Sequence, residues 1–287
     1  SAAMSTSSPR LIFTDLDGSL LDHESYSFAA AVPLLQELAS ACIPVVPVTS
    51  KTRVEIEALR EQLNNSHPFI VENGAAVFIP QGYFDQPPAG TDSMDGYWVK
   101  AMSGPRQRWL DVLEKLRPQF QGEFEGFHQA GPAGIAQLTG LSPEGAALAN
   151  RREYSEPLQW RGTDERKAAF VQALQEEGAH ALQGGRFLTV AGDCDKGRAL
   201  EWLRGVYCTA WHAAGIVDIA IGDSGNDVAM LEVAGSALLV RSPAHDYPQL
   251  RRGEGVMRSA ACGPEGWVEG VRQWLDDPGP HIYSKGQ

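Results

Sequence analysis

No apolar run in this chain approaches the ~20 residues needed for a bilayer-spanning helix, and its small, polar start lacks the basic region and apolar stretch of a secretion signal. Cysteine is scarce as well: Cys42, Cys194, Cys208 and Cys262 are far apart and form no CxxC pair, so neither a zinc site nor a disulfide framework is signalled. Together these absences lead us to expect a reducing cytoplasmic setting, without a membrane partner. Basic residues are also outnumbered, with 24 Lys+Arg against 36 Asp+Glu, a net charge of -12. No basic block stands out to track a phosphate backbone, so nucleic acid is not an expected partner. An acidic chain still binds an anionic substrate if a metal ion and a few placed Lys or Arg residues reverse the sign locally.

What is present is enough apolar material, 43% of 287 residues, for a sizeable core in one large domain or two medium ones. Leu11–Phe13 read as a buried strand ending in Thr14-Asp15-Leu16-Asp17-Gly18. A helix follows with Leu34, Leu35 and Leu38 on one face, then a strand over Val45–Val48 ending at Thr49-Ser50-Lys51. Pro47 lacks a ladder donor and argues for an edge or a bulge there. The segment Thr52–Leu63 has helical amphipathicity, and Phe69–Val71 read as a third strand leading to Glu72-Asn73-Gly74. Strands alternating with helices predict a doubly wound, mostly parallel α/β sheet.

From about Tyr83 the texture turns to Gly, Pro, Asp and aromatic residues, and regular alternation returns only near Phe187. We therefore expect a flexible tail over residues 1–9, a core domain from residues 10–83 and 189–287, and an inserted α+β domain over residues 84–188. The core's second segment carries a strand around Phe187–Val190, a helix over Gly197–Trp211, and the run Ile216–Ile221, broken only by Asp218. That run ends in Gly222-Asp223-Ser224-Gly225-Asn226-Asp227. Ser236–Val240 give one more strand, and Trp267–Leu275 a closing helix. No internal repeat or low-complexity tract is visible.

Carboxylates thus stand at strand ends, where open α/β sheets bind ligands. Hydrolysis of a phosphate ester needs a nucleophile, a proton donor for the leaving oxygen, and positive charge against the other oxygens. Asp15 and Asp17 suit the first two roles, with Gly18 permitting a sharp turn. Asp223 and Asp227 add hard oxygen ligands that favour Mg²⁺ over zinc, and Asn226 can hold a neighbouring group in place. The competing reading of this loop as a calcium site fails on spacing and on its missing closing Glu. Thr49 offers a hydroxyl, and Lys196 a charge, to phosphoryl oxygens. Either alone reads first as a helix cap or a solvated lysine, and their value comes from the order in which the motifs stand.

The order Asp-x-Asp-Gly, strand-Thr, Lys-Gly, Gly-Asp-x-x-Asn-Asp resembles the haloacid dehalogenase superfamily of phosphatases, in the branch whose cap is inserted between the second and third motifs. The resemblance runs over nearly the whole chain from Leu11. It implies that Asp15 forms an aspartyl-phosphate, that Asp17 is general acid and base, and that Thr49 and Lys196 bind the phosphoryl group. It also implies Mg²⁺ held by Asp15, the Asp17 carbonyl and Asp223, with Asn226 and Asp227 in support. Ser19 departs from the family's usual Thr but keeps the hydroxyl. A narrower likeness to mannosyl-3-phosphoglycerate phosphatases lies in Thr49-Ser50-Lys51-Thr52-Arg53, Glu72-Asn73-Gly74-Ala75, Arg152-Glu153-Tyr154-Ser155-Glu156-Pro157 and Gly184-Gly185-Arg186-Phe187. It implies substrate contacts from Ser50, Lys51, Glu72 and Asn73 on the core side. From the cap, Arg152 would meet a glycerate carboxylate, and Glu153 and Ser155 sugar hydroxyls. The Arg152–Ser155 tract reads equally as a cap strand with a surface ion pair, and Asn73-Gly74 as a hairpin turn. The expected partner is a small sugar phosphate. Phosphatases of glucosyl-3-phosphoglycerate, sucrose phosphate or a hexose phosphate, a phosphomutase, and a non-catalytic sugar-phosphate sensor are the rival readings, and oligomeric state is left open.

Overall fold

The run Leu11–Phe13 lies within β1 (Arg10–Thr14), which the computed structural model, describing residues 8–285, sets inside a five-stranded sheet. That sheet runs in the order β13 (Val256–Cys262), β12 (Ser236–Arg241), β11 (Val217–Gly222), β1, β2 (Val45–Pro47). Every neighbouring pair is parallel. Of the tail expected over residues 1–9, residues 1–7 lie outside the described residues, and the Pro9 carbonyl accepts a bond from Val217 N at 2.9 Å.

Because side chains alternate along a strand, β1 feeds both faces of the sheet. Ile12 packs with Leu34 and Leu38 of α1 (Val32–Ser40) and with Trp267, Val271 and Trp274 of α9 (Gly263–Asp276). Leu11 and Phe13 pack with Leu200, Leu203 and Tyr207 of α7 (Lys196–Ala210) and with Met230 and Leu231 of α8 (Val228–Val233). Helices cover the sheet on both sides, which is the doubly wound arrangement expected. The apolar run of β11 tolerates Asp218 because Arg204 of α7, itself buried, meets it at 2.9 Å and Gly235 N at 2.8 Å.

Pro47 marks where parallel pairing stops. Val48 N donates to Thr14 O, whereas Thr49 N, on the opposite edge, donates to Ile70 O of β3 (Phe69–Val71). Alternation therefore places the missing N–H of Pro47 on the β3 side, and contact there shrinks to a single parallel bridge between Val48 and Ile70. The expected third parallel strand instead heads an antiparallel sheet of order β3, β4 (Ala76–Pro80), β6 (Tyr97–Ala101), β5 (Asp92–Met94).

A third sheet, also antiparallel, has the order β7 (Phe124–Gly126), β8 (Glu156–Trp160), β10 (Phe187–Ala191), β9 (His180–Gly184). The strand read at Phe187–Val190 belongs here rather than to the parallel sheet. It follows β9 through Gly185 and Arg186 alone, a hairpin connection too short for a parallel crossover. Helices α3 (Arg106–Leu116) and α6 (Asp164–Glu176) bury Trp109, Leu113, Phe170 and Leu174 against this sheet. The tryptophans there serve packing: Trp109 is buried, and Trp160 stacks on Phe170 with ring centroids 5.0 Å apart. The remaining helices are α2 (Arg53–Gln62), whose cap Thr52 pairs reciprocally with Glu55, and α4 (Phe127–Thr139), which packs with α5 (Pro143–Ala149) through Phe127, Ile135, Ala146 and Ala149.

A half-buried polar chain joins the segment before β3 to α7: His67 Nδ1 lies 2.7 Å from the Tyr83 hydroxyl, which lies 3.0 Å from that of Tyr207. Burial, helped by the charge of Arg60, pushes the His67 pKa down from 6.5 to about 4. Within that window the unfolded chain binds a proton that the folded chain refuses, so this contribution is intact above 6.5 and is lost as pH falls to about 4. We expect it to remove up to about 3 kcal/mol of unfolding free energy by the acid end of the window. Urea titrations across the window should show a flatter pH dependence for His67→Gln than for the wild type; identical slopes would contradict this.

Candidate active site

The parallel strands end together, and the backbone fixes what stands there. Asp15 N donates to Ile221 O at 2.8 Å, tying the end of β1 to β11. Trp267 Nε1 donates to the Thr14 hydroxyl at 2.9 Å, and that hydroxyl donates to the Asp15 carbonyl at 2.6 Å. Lys196 opens α7 behind its cap Asp195, which accepts from Arg198 N at 2.7 Å. The helix start thus delivers the lysine ammonium among the carboxylates. Its Nζ lies 2.7 Å from Asp227 Oδ1 and 3.4 Å from Asp15 Oδ1, with no solvent exposure. The second oxygen of Asp227 accepts from Asp223 N at 3.0 Å and Ser224 N at 3.2 Å, which folds the acidic loop around its own carboxylate.

Three buried acids therefore face one lysine. Burial first, then the charge of Asp227, lifts the Asp15 carboxyl well above the usual carboxylate range, with Lys196 pulling the other way and Asp223 adding to the rise. The same order of causes, burial and then Asp227, pushes Asp223 up to about 6. For Lys196, burial works against the charge, but Asp15 and Asp227 outweigh it and the pKa rises above the ordinary lysine value. At Asp15 and Asp223, burial and the charge of Asp227 outweigh the pull of Lys196.

A divalent cation fits this donor set. Ligand atoms from Asp15, Asp223 and Asp227 lie within 4.8 Å of one another. Asp223 Oδ1 and Asp17 Oδ1 are buried without a hydrogen-bond partner. Oxygen donors without thiol or imidazole suit Mg²⁺ or a similar hard ion. Since both Asp227 oxygens are engaged by protein donors, Asp15 and Asp223 are the freer ligands. Gly18 makes the close approach possible: its φ is +82°, and a Cβ there would sit 2.6 Å from Asp223 Oδ2.

The other expected residues divide into two groups. Thr49 is buried at the end of β2 next to β1, and its Oγ1 accepts from Lys51 N at 3.0 Å, leaving its hydroxyl proton available. Lys51 meets Asp17 at 3.1 Å, and Ser50 is exposed on the turn between Thr49 and Lys51. Asn73 Oδ1 accepts from Asn226 Nδ2 at 3.1 Å, joining two expected residues far apart in sequence. Arg152, Glu153 and Ser155 gather instead around Glu72. Its carboxylate accepts from Glu153 N at 3.0 Å and from the Ser155 hydroxyl at 2.7 Å, with Arg152 Nε at 3.5 Å.

One residue escaped sequence reasoning. His245, in the loop after β12, brings Nε2 to 3.8 Å from Asp223 Oδ2. The only available signal was its position just beyond the C-terminal end of a parallel strand.

Residues 12–86 match the family described as haloacid dehalogenase-like hydrolase. The chain is 35% identical over 262 residues to the glucosyl-3-phosphoglycerate/mannosyl-3-phosphoglycerate phosphatase of Methanococcoides burtonii, covering 91% of this chain and 95% of that protein. A relative of the same name from Persephonella marina is 34% identical over 271 residues, covering 93% and 97%. The chain belongs to the haloacid dehalogenase-like hydrolase family. It is a phosphoric monoester hydrolase. The fold agrees: a phosphatase of the haloalkanoate superfamily from Bacteroides thetaiotaomicron superimposes with a TM-score of 0.65 at 16% identity, covering 95% of this chain and 97% of that one.

In this haloacid dehalogenase-like hydrolase, Gly18→Ala adds a methyl group into Asp223 at a left-handed backbone position. We expect kcat/KM for a phosphate ester to drop roughly 100-fold, with a cooperative thermal transition retained. Activity within about threefold of wild type would show that the Gly18–Asp223 approach does not matter.

Proposed function

We propose that this phosphatase is Mg²⁺-dependent, acts through an aspartyl-phosphate on Asp15, and hydrolyses mannosyl-3-phosphoglycerate to mannosylglycerate and phosphate. The observation that carries the mechanism is the excess of buried carboxylate over Lys196. Such a cluster is poised for a divalent cation held by Asp15, Asp223 and the Asp17 carbonyl, with Asp227 and Asn226 in support. When bound, the cation supplies positive charge to the nucleophile and to the phosphoryl oxygens.

In this reading the Asp15 carboxylate attacks phosphorus, forming a bond from its oxygen as the bond to the sugar-ester oxygen breaks. Asp17 gives that oxygen its proton. The Thr49 hydroxyl and the Lys196 ammonium hold the transferring group. Asp17, now ionised, takes a proton from water, which attacks phosphorus and frees Asp15. Its half-exposed side chain, 3.1 Å from Lys51, is open to both leaving group and water.

We further propose that the expected insertion over residues 84–188 serves as a substrate-selecting cap, with Arg152, Glu153 and Ser155 the tract that meets the glycerate and sugar. Strands β5 and β6, inside that span, extend the sheet of β3 and β4, so the antiparallel sheet of β7 to β10 is its main body. The relatives' shared name supports the sugar phosphoglycerate class and gives the glucosyl ester as a second candidate substrate. A role in compatible-solute synthesis in the cytoplasm follows from that substrate class. Among the described residues no helix is long and apolar enough to cross a membrane.

Two measurements test this. Phosphate release from mannosyl-3-phosphoglycerate, glucosyl-3-phosphoglycerate and hexose phosphates should require Mg²⁺, stop with EDTA, and favour the mannosyl ester. Preference for another ester would discard the substrate, and release unaffected by EDTA would discard the metal. Asp15→Asn should lower turnover roughly 1000-fold or more with the fold intact; retention of activity would remove Asp15 as nucleophile.

A further inference from the structure

Glu72 has no solvent exposure, yet it opens a run of three left-handed residues, with φ of +50° there, +61° at Asn73 and +92° at Gly74. Side chains disfavour that region, so such a backbone persists only where its surroundings over-determine it. Gly74 cannot be replaced by a larger residue, since a Cβ would lie 2.2 Å from the Asp195 carbonyl oxygen, just before Lys196. The core side of the turn is tied to the phosphoryl-binding segment: Glu72 N donates to Lys51 O and Asn73 N to Thr49 O, both at 3.0 Å.

The other side of the turn holds the inserted tract. The two Glu72 oxygens accept from Glu153 N at 3.0 Å, Tyr154 N at 3.2 Å and the Ser155 hydroxyl at 2.7 Å, beside Arg152 Nε at 3.5 Å. Arg152 Nη2 donates to Ser155 Oγ at 3.1 Å, and Arg53, in the first turn of α2, pairs with Glu153 at 3.0 Å. A carboxylate so occupied has little capacity left for a substrate hydroxyl, and breaking a buried charged contact of this kind is strongly unfavourable.

We propose that Glu72 is a positioning residue of the phosphatase: it fixes the Arg152–Ser155 tract in one register against the Thr49 end of the site. That tract, and not Glu72 itself, then meets the part of the substrate beyond the phosphate. The inference rests on the sugar phosphoglycerate reading above. It predicts that damage at Glu72 is read by the size of the leaving group.

The test compares mannosyl-3-phosphoglycerate with acetyl phosphate, whose leaving group is too small to reach from the core to the tract. Glu72→Gln keeps the shape but turns one acceptor into a donor facing Arg152 and the backbone amides. We expect kcat/KM for the sugar ester to fall roughly 100-fold, mostly through KM, and that for acetyl phosphate to stay within about threefold. Ser155→Ala, which removes the bond to Glu72 and the one accepted from Arg152 and is the milder change if Glu72→Gln does not fold, should lower the sugar ester by roughly tenfold in the same sense. Equal losses on both esters, or undiminished sugar-ester turnover in both variants, would overturn the proposal. Wild-type protein active on acetyl phosphate but on no sugar phosphoglycerate would contradict the underlying substrate reading, and the proposal with it.

Discussion

The structure depends on holding like charges together out of water. Asp15, Asp223 and Asp227 share one buried pocket with Lys196, and burial together with the charge of Asp227 makes Asp15 and Asp223 harder to ionise. The lysine answers part of this and the backbone amides of Asp223 and Ser224 answer more, by donating to Asp227. What is left uncompensated is the chemistry. A site whose acids lack sufficient positive charge draws in a hard cation and an electrophile, and phosphoryl transfer supplies the latter.

The parallel sheet makes this concentration possible. Each strand ends on the same side, so residues distant in sequence arrive together with no loop to order: Asp15 from β1, Thr49 from β2, Asp223 from β11. Lys196 comes from a helix start. Glycine permits the closest approaches: a Cβ at Gly18 would run into the Asp223 carboxylate, and one at Gly74 into the Asp195 backbone. Bonds behind the site, such as Trp267 to Thr14 and on to Asp15, hold the end of β1 from the opposite layer.

Much of this was legible in the sequence because the signals are local. Acidic residues directly after apolar runs pointed to the carboxylates that the fold brings together, and the alternation of apolar strand and amphipathic helix named the sheet. Pro47 correctly warned of an edge, although only the structure shows that its missing donor faces β3 and ends the parallel pairing. What could not be read depends on contacts distant in sequence. Nothing near Glu72 says that its carboxylate receives the amides of Glu153 and Tyr154, and His245 carries no motif. The strand at Phe187 was visible as a strand, but its sheet was not, since partner choice there is set by a hairpin from β9 whose own residues alternate weakly.

The central claim is that Asp15 carries the phosphoryl group between substrate and water. Mixing enzyme, Mg²⁺ and substrate, quenching in acid within a turnover and mapping the peptides by mass spectrometry tests it directly. The account predicts one added phosphoryl group on the peptide containing Asp15, absent when the enzyme is quenched before substrate is added. Turnover with that peptide unmodified at every quench time, or with the phosphoryl group on another residue, would contradict it.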